Sequence, residues 1–238
     1  MKRYIYQGFF IALCAIIFTG CDRTDAWETM NNELKIAFMN RDYEAALAIA
    51  EKTVPLAKQE YGEISPRVAQ SLMNLAAVYK ARKEYNKALA YAHQGLKIDK
   101  QVLGENHQQI GWDLNILASL YYRDGQIKKA EDMAQKALDV AEKAFEKDDP
   151  DYARFLNNAA QVYRAQKKYK KAEQYFKQAL AILEKALGEK HGDVATTLNN
   201  LAAVSQEQGK EKKAREYQAR AREIYQQLME ARKRPPQP

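Results

Sequence analysis

The chain contains few of the residues on which disulfide-stabilised or catalytic folds depend. Its 238 residues include 2 cysteines, 3 histidines, 10 glycines and 6 prolines. Two cysteines cannot build a disulfide framework, and the sequence has no glycine-rich phosphate loop and no nucleophile elbow. None of the histidines has a Cys, Asp or Glu at a recurring metal-ligand spacing. We therefore expect neither an enzyme nor a metal, cofactor or small-molecule substrate site.

Long apolar runs are also scarce, and the N-terminal one has a specific context. Lys2 and Arg3 precede the apolar run Gly8–Thr19, which is short for a membrane span and ends at Gly20-Cys21. This arrangement resembles the lipobox of bacterial lipoprotein signal peptides, with Phe18 where leucine is usual. The resemblance implies cleavage before Cys21 and lipidation, including palmitate, of that cysteine.

This interpretation divides the N-terminus into a signal peptide, residues 1–20, and a lipidated tether, residues 21–26. The anchored protein would lie in the bacterial cell envelope, facing the periplasm or exterior, and Asp22 resembles a signal for retention at the inner membrane. Two or three acyl chains give stable attachment without a membrane span. An ordinary cleaved secretory signal and an uncleaved signal anchor remain alternatives.

The rest of the chain is dominated by a repeat with a period of 42 residues. Small and aromatic residues recur at this spacing, in the three series Ala46, Ala88, Ala130, Ala172 and Ala214; Ala76, Ala118, Ala160 and Ala202; and Tyr79, Tyr121 and Tyr163. A period in this range predicts an array of stacked units. The low content of Val, Ile and Thr runs argues against strands, so each unit should be a pair of helices.

Start and stop signals recur with the same period. Ser65-Pro66 and Asp149-Pro150 are N-caps followed by proline at the first helical position, and His107 and His191 stand at the equivalent position. Gly62, Gly104 and Gly188 are expected to end second helices with a positive φ. Pro55 should kink or weaken its helix. We expect the array to span residues 27–230, with a disordered basic tail at residues 231–238.

The repeated residues resemble a known family. Leu75, Ala76, Tyr79, Ala88 and Gly95 match the spacing of the tetratricopeptide repeat signature. The long period and the strings Leu156–Ala160 and Leu198–Ala202 are most similar to the repeats of kinesin light chain and its bacterial relatives. The resemblance implies an all-α fold, a right-handed α-solenoid of about five helix pairs, in which the first helices line a concave groove.

The groove positions implied by the resemblance follow i, i+3, i+7 and i+10 on the side opposite the packing stripe. They are polar, aromatic and basic, so we expect an extended, acidic or carboxylate-bearing peptide or protein partner. The candidate partner-binding residues are Lys80, Trp112, Asn115, Tyr122, Arg123, Arg154, Asn157, Gln161, Arg164 and Asn199.

Each group of candidates also has a purely structural interpretation. The asparagines could bond to a neighbouring helix, Trp112 could be tucked beneath the next repeat, and the arginines could form a solvated face. The net charge is +7, and +5 without Lys2 and Arg3. Dispersed lysines favour solubility, and the short basic tail does not predict nucleic-acid binding.

The sequence therefore predicts a membrane-tethered protein-protein interaction scaffold. A dedicated assembly factor of a secretion, pilus or outer-membrane machine is one alternative. A non-catalytic subunit of an enzyme complex and a structural spacer are others. The sequence does not identify the partner.

Overall fold

Helices make up the array. In a computed structural model, which describes residues 25–233, these residues form ten α-helices and no strand. The helices are α1 (Ala26–Met39), α2 (Tyr43–Tyr61), α3 (Pro66–Ala81), α4 (Tyr85–Leu103), α5 (Gln108–Arg123), α6 (Ile127–Ala144), α7 (Pro150–Ala165), α8 (Tyr169–Leu187), α9 (Gly192–Glu207) and α10 (Glu211–Lys233).

Odd-numbered helices are the first helices of five repeats, and even-numbered helices are the second. Each helix packs mainly against its neighbours in sequence, and the first helices α5, α7 and α9 also lie near one another. A chain whose contacts are confined to adjacent units is a solenoid, so the predicted all-α solenoid is confirmed. Within residues 25–233 no helix is long and apolar enough to cross a membrane.

The turn inside every repeat uses one residue in the left-handed region. These residues are spaced by 42 and have φ angles from 59° to 78°, at Arg41, Lys83, Gly125, Lys167 and Gly209. The amide following each of them bonds back to the first helix, as in Glu84 N–H to the Tyr79 carbonyl at 2.9 Å. This bonding satisfies carbonyls that the helix end leaves open and sets the angle of the second helix.

The links between repeats use side-chain caps. Ser65, His107, Asp149 and His191 each accept a hydrogen bond from an amide of the following helix, through Nδ1 in the two histidines. The histidines are therefore structural N-caps, as their repeat position predicted. Gly62, Gly104 and Gly188 have φ near 83°, as expected. Pro55 lies inside α2, which continues past it to Tyr61.

Small residues allow the helices of one repeat to approach closely. The alanines of both predicted series are at most 3% exposed. Gly95 of α4 lies so near α3 that an added Cβ would be 3.2 Å from the Ala69 carbonyl oxygen and from the Met73 side chain. The apolar core runs along the array through these crossings.

Tyrosines join the second, third and fourth repeats to the repeat that precedes each of them. The Tyr79 hydroxyl donates to Glu51 at 3.0 Å, and the Tyr163 hydroxyl donates to Gln135 at 3.2 Å. Tyr121 makes the corresponding contact with His93 Nε2 at 2.8 Å. The aromatic series therefore orients the repeats relative to one another.

Both ends of the array are specialised. Trp27 of α1 is buried, and its Nε1 donates to Ser71 Oγ at 2.7 Å, which closes the core at the N-terminal end. At the other end α10 continues to Lys233, beyond the predicted limit at residue 230. Residues 231–233 favour helix, and the first helix-breaking residue after them is Pro235. The proposed signal peptide, Cys21 and residues 234–238 lie outside the described residues.

One junction between repeats contains two buried carboxyl groups. Asp99 of α4 and Asp113 of α5 lie side by side. The equivalent pairs at the other three junctions are Ala57 and Ser71, Ala141 and Phe155, and Leu183 and Thr197. Burial raises the pKa of Asp113 to about 7, and the neighbouring Asp99 adds to this rise. The side-chain amide of Gln109 donates to Asp113 at 3.0 Å and partly opposes it. Burial also raises the pKa of Asp99. The hydrogen bond to Asp113 and the charge of His107 make this rise smaller.

The tight crossing of α3 and α4 makes a first prediction. Ala76→Leu should lower the free energy of unfolding by roughly 1–3 kcal/mol, because a fully buried alanine leaves no room for three more carbons. Ala181→Leu, a matched change at an exposed position of α8, should have little effect. Urea unfolding followed by circular dichroism measures both variants. Equal effects would show that the crossing is not tightly packed.

The buried carboxyl pair makes a second prediction. A carboxyl whose pKa is raised on folding stabilises the protein below its unfolded pKa, and that stability is lost as the pH rises towards about 7. Asp113→Asn keeps the shape and cannot ionise, so at pH 8 it should be more stable than the natural chain by roughly 2–4 kcal/mol. At pH 4 the two should be nearly equal. A pH-independent difference in urea unfolding would contradict this origin.

Candidate functional site on the first helices

The ten predicted residues lie on one side of the first helices. The groove face is the side of α3, α5, α7 and α9 that carries these ten residues. The backbones of α5, α7 and α9 approach one another, whereas successive second helices stand farther apart. The layer with the closer helices is the inner side of a curved stack. The first helices, which carry the groove face, therefore form the inner layer of the array.

The three asparagines differ from one another in their surroundings. Asn157 Nδ2 donates to Thr197 Oγ1 on the next first helix at 2.9 Å, and that hydroxyl donates to the Asp193 carbonyl. Asn115 is buried. Asn199 is exposed. A continuous row of amides facing a peptide is therefore not present, and Asn157 instead bonds to a neighbouring helix.

Trp112 belongs to an aromatic cluster inside the stack. Its ring centroid is 4.5 Å from that of Phe155 on α7 and 6.2 Å from that of Phe145, and only part of the side chain is accessible. The structural interpretation of Trp112 therefore applies. Tyr122 and Gln161 are partly exposed on the groove face and can contact a ligand.

Two of the predicted cations are already paired. The Arg154 guanidinium contacts Asp151 at 2.5 Å and Asp193 at 3.1 Å. Arg164 Nε donates to Glu207 Oε1 at 3.1 Å. The predicted groove positions themselves contain no acid, but these three carboxylates stand beside them. The positive charge expected along α7 is largely neutralised.

Lys80 and Arg123 form the remaining basic group. Lys80 Nζ donates to Ser119 Oγ at 2.8 Å, and burial together with the charge of Arg123 lowers the pKa of Lys80. Arg123 is exposed. Within residues 25–233 neither side chain has a carboxylate at ion-pair distance. Both lie in the last turn of their helices, where the helix dipole favours a cation. They give the groove face a local positive charge.

An open cleft of about 890 Å³ lies at the C-terminal end of the groove face. Its lining residues are Asn199, Gln218, Arg222, Tyr225, Gln226, Met229 and Glu230. Sequence reasoning identified only Asn199 in this group. The available signal was the repeat register, because Tyr225 and Met229 occupy positions where α8 has Leu183 and Leu187, and no described helix follows α10 to cover them.

The described part of the chain contains no cluster of metal-ligating side chains. In residues 25–233 no three His, Cys, Asp or Glu side chains are grouped so that they could hold an ion. The groove face offers hydrogen bonds, aromatic edges and positive charge. Those features suit binding.

Helix pairs stacked with an open concave face define a class of repeat scaffold. The chain belongs to the tetratricopeptide repeat family, whose model matches residues 28–101, 67–143, 113–185 and 151–227. These overlapping matches cover nearly all of the described array. No curated protein sequence matches the chain.

Solved structures with the same fold come from several settings. A kinesin light chain with nearly identical TPR-like repeats from Podosopora anserina is 20% identical, with a TM-score of 0.72 over 88% of this chain and 99% of that one. BtubC from P. vanneervenii is 22% identical, with a TM-score of 0.71 over 89% and 83%. A Rap protein complexed with competence and sporulation factor is 23% identical, with a TM-score of 0.71 over 83% and 53%. At these identities the likeness shows the fold alone.

Proposed function

We propose that this protein is a membrane-tethered, non-catalytic scaffold that binds an extended, acidic segment of a partner protein on its groove face. The observation that carries the binding proposal is the basic group of Lys80 and Arg123. Two cations without a described carboxylate partner, one of them partly desolvated, favour a ligand that brings its own negative charge.

The surroundings of this group support an extended ligand. Tyr122 and Gln161 supply an aromatic edge and an amide on neighbouring first helices, along the groove from Arg123. Asn199 continues the polar surface toward the C-terminal cleft. A Rap protein, whose repeats have this fold, was solved as a complex with competence and sporulation factor, so the fold is compatible with binding a factor.

The tether is supported by the sequence and by where the helices begin. Cys21 follows the lipobox-like segment, and α1 begins at Ala26. Five residue steps can span at most about 18 Å, so lipidation of Cys21 would hold the array against the membrane surface. Partners would then be collected at that surface.

The groove proposal predicts charge-selective binding. Labelled ten-residue peptides rich in Glu, rich in Lys, or neutral serve as probes in fluorescence anisotropy. The Glu-rich peptide should bind most tightly, and Arg123→Glu should weaken it at least about tenfold, because a charged hydrogen-bond partner is replaced by a like charge. Added salt should weaken binding further.

A matched control separates a groove effect from a change in net charge. Lys170→Glu makes the same charge change at an exposed position of α8, on a second helix, and should leave binding nearly unaltered. Equal losses in the two variants, or no preference among the three peptides, would rule out the acidic-ligand proposal.

The tether proposal predicts a modified N-terminus. Mass spectrometry of the protein isolated from membranes of a bacterial host should give a first residue at Cys21 that carries a thioether-linked diacylglycerol. Cys21→Ser should release the protein from the membrane fraction. An intact Met1, or an unmodified Cys21, would overturn the lipoprotein assignment.

A further inference from the structure

Each end of the array exposes an apolar side chain whose equivalents in the internal repeats are buried, Ile36 on α1 and Tyr225 on α10. By register α1 is a first helix, and no second helix is described before it. The last helix, α10, is a second helix, and no first helix is described after it. Ile36 of α1 is 60% exposed, whereas its equivalents Val78, Leu120, Val162 and Val204 are at most 3% exposed. On α10, Tyr225 is 39% and Met229 59% exposed, whereas Leu183, the equivalent of Tyr225, is fully buried.

Charged residues replace apolar ones at these ends, with opposite signs. Glu33 of α1 stands where the later first helices have the buried residues Leu75, Leu117, Ala159 and Leu201. Arg222 of α10 stands where the earlier second helices have Val54, Leu96, Leu138 and Leu180. Two ends that faced only water could carry any charge. An acid on one end face and a base on the other are complementary.

Contacts between neighbouring repeats predict which residues would meet between two copies. If a second copy follows the last repeat, its first repeat takes the place of a sixth repeat, and its residues occupy positions shifted by five periods. Asn157 donates to Thr197 between α7 and α9. The same step taken from the last repeat joins Asn199 to Thr29 of a second copy, and both side chains are exposed. An amide and a threonine hydroxyl therefore stand at the same two positions across the ends.

A second internal contact gives the same result with its charges exchanged. Lys168 binds Glu131 at 2.8 Å, and Lys210 binds Glu173 at 2.9 Å, each linking successive second helices. One period later, Arg215 stands at the position of Glu173, and Asp42 of a second copy would stand at the position of Lys210. Both residues are exposed. Exchange of both signs keeps the pair attractive, whereas either change alone would not.

We propose that the occupant of the α10 face is α1 of a second copy of this chain, docked head-to-tail so that the superhelix continues from one molecule to the next. This inference goes beyond the proposed function and does not require it. The contact joins two different surfaces, so it repeats to give open chains unless its rotation closes a ring. Ile36, Tyr225 and Met229 would supply apolar burial, and Glu33 with Arg222 would supply the charge match.

The test uses sedimentation velocity of the full chain in a mild non-ionic detergent. The natural chain should show a mass that rises with concentration to at least about twice that of the monomer. Glu33→Arg alone and Arg222→Glu alone should each remain monomeric, because each places like charges at the contact. A mixture of the two variants should assemble again, because the unaltered α1 end of one variant can dock on the unaltered α10 end of the other. The two altered ends also remain compatible, since their charges are exchanged.

Two controls accompany this test. Lys170→Glu should assemble like the natural chain, and circular dichroism should show that all variants are folded. Assembly lost with Arg222→Glu but kept with Glu33→Arg would indicate a tail-to-tail dimer and overturn the proposal. A natural chain that stays monomeric at every concentration would also overturn it, and would leave residues 1–24 or another protein as the cover of α1.

Discussion

The structure depends on burial between repeats, because no single helix pair in this chain can cover its own apolar surface. Ala76 and its equivalents let the two helices of a repeat cross closely, and the outer side of each pair then needs the next pair. Tyr79 and Tyr163 add a hydrogen bond at that contact, so the repeats meet at a defined angle as well as a defined distance. Curvature, and with it the groove, is a consequence of this repeated step.

The fold could be predicted from the sequence because its determinants are local and repeated. Buried alanines, capping residues and end-of-helix glycines each act within a few residues of their own position, so the period reveals them directly. His107 and His191 show the strength of this logic, since repeat position alone marked them as structural and the structure gives them equivalent capping bonds. The left-handed residue inside each turn was missed, because Arg41, Lys83 and Lys167 take it without glycine.

The site was less predictable, because its side chains are committed by contacts between helices. Arg154 lies on the expected face, yet Asp193 of the next first helix pairs with it, and the spacing along α7 alone gives no sign of that acid. Trp112 similarly packs against Phe155. Other repeats have Ser71, Asp113 or Thr197 at the position of Phe155, so the repeat pattern does not predict this contact. A helical face identifies which residues point inward. It does not identify which of them remain available to a partner.

The junction between α4 and α5 distinguishes this array from a uniform one. In a linear array, overall stability is approximately the sum of repeat terms and nearest-neighbour terms, so a single weaker junction changes how cooperatively the whole unfolds. Asp99 and Asp113 make the stability of one junction, near the middle of the array, depend on protonation. As that contact loses its proton, the repeats before it and after it become less tightly coupled in unfolding. The groove face extends across the same junction. A partner bound to repeats on both sides of it would therefore restore their coupling in unfolding.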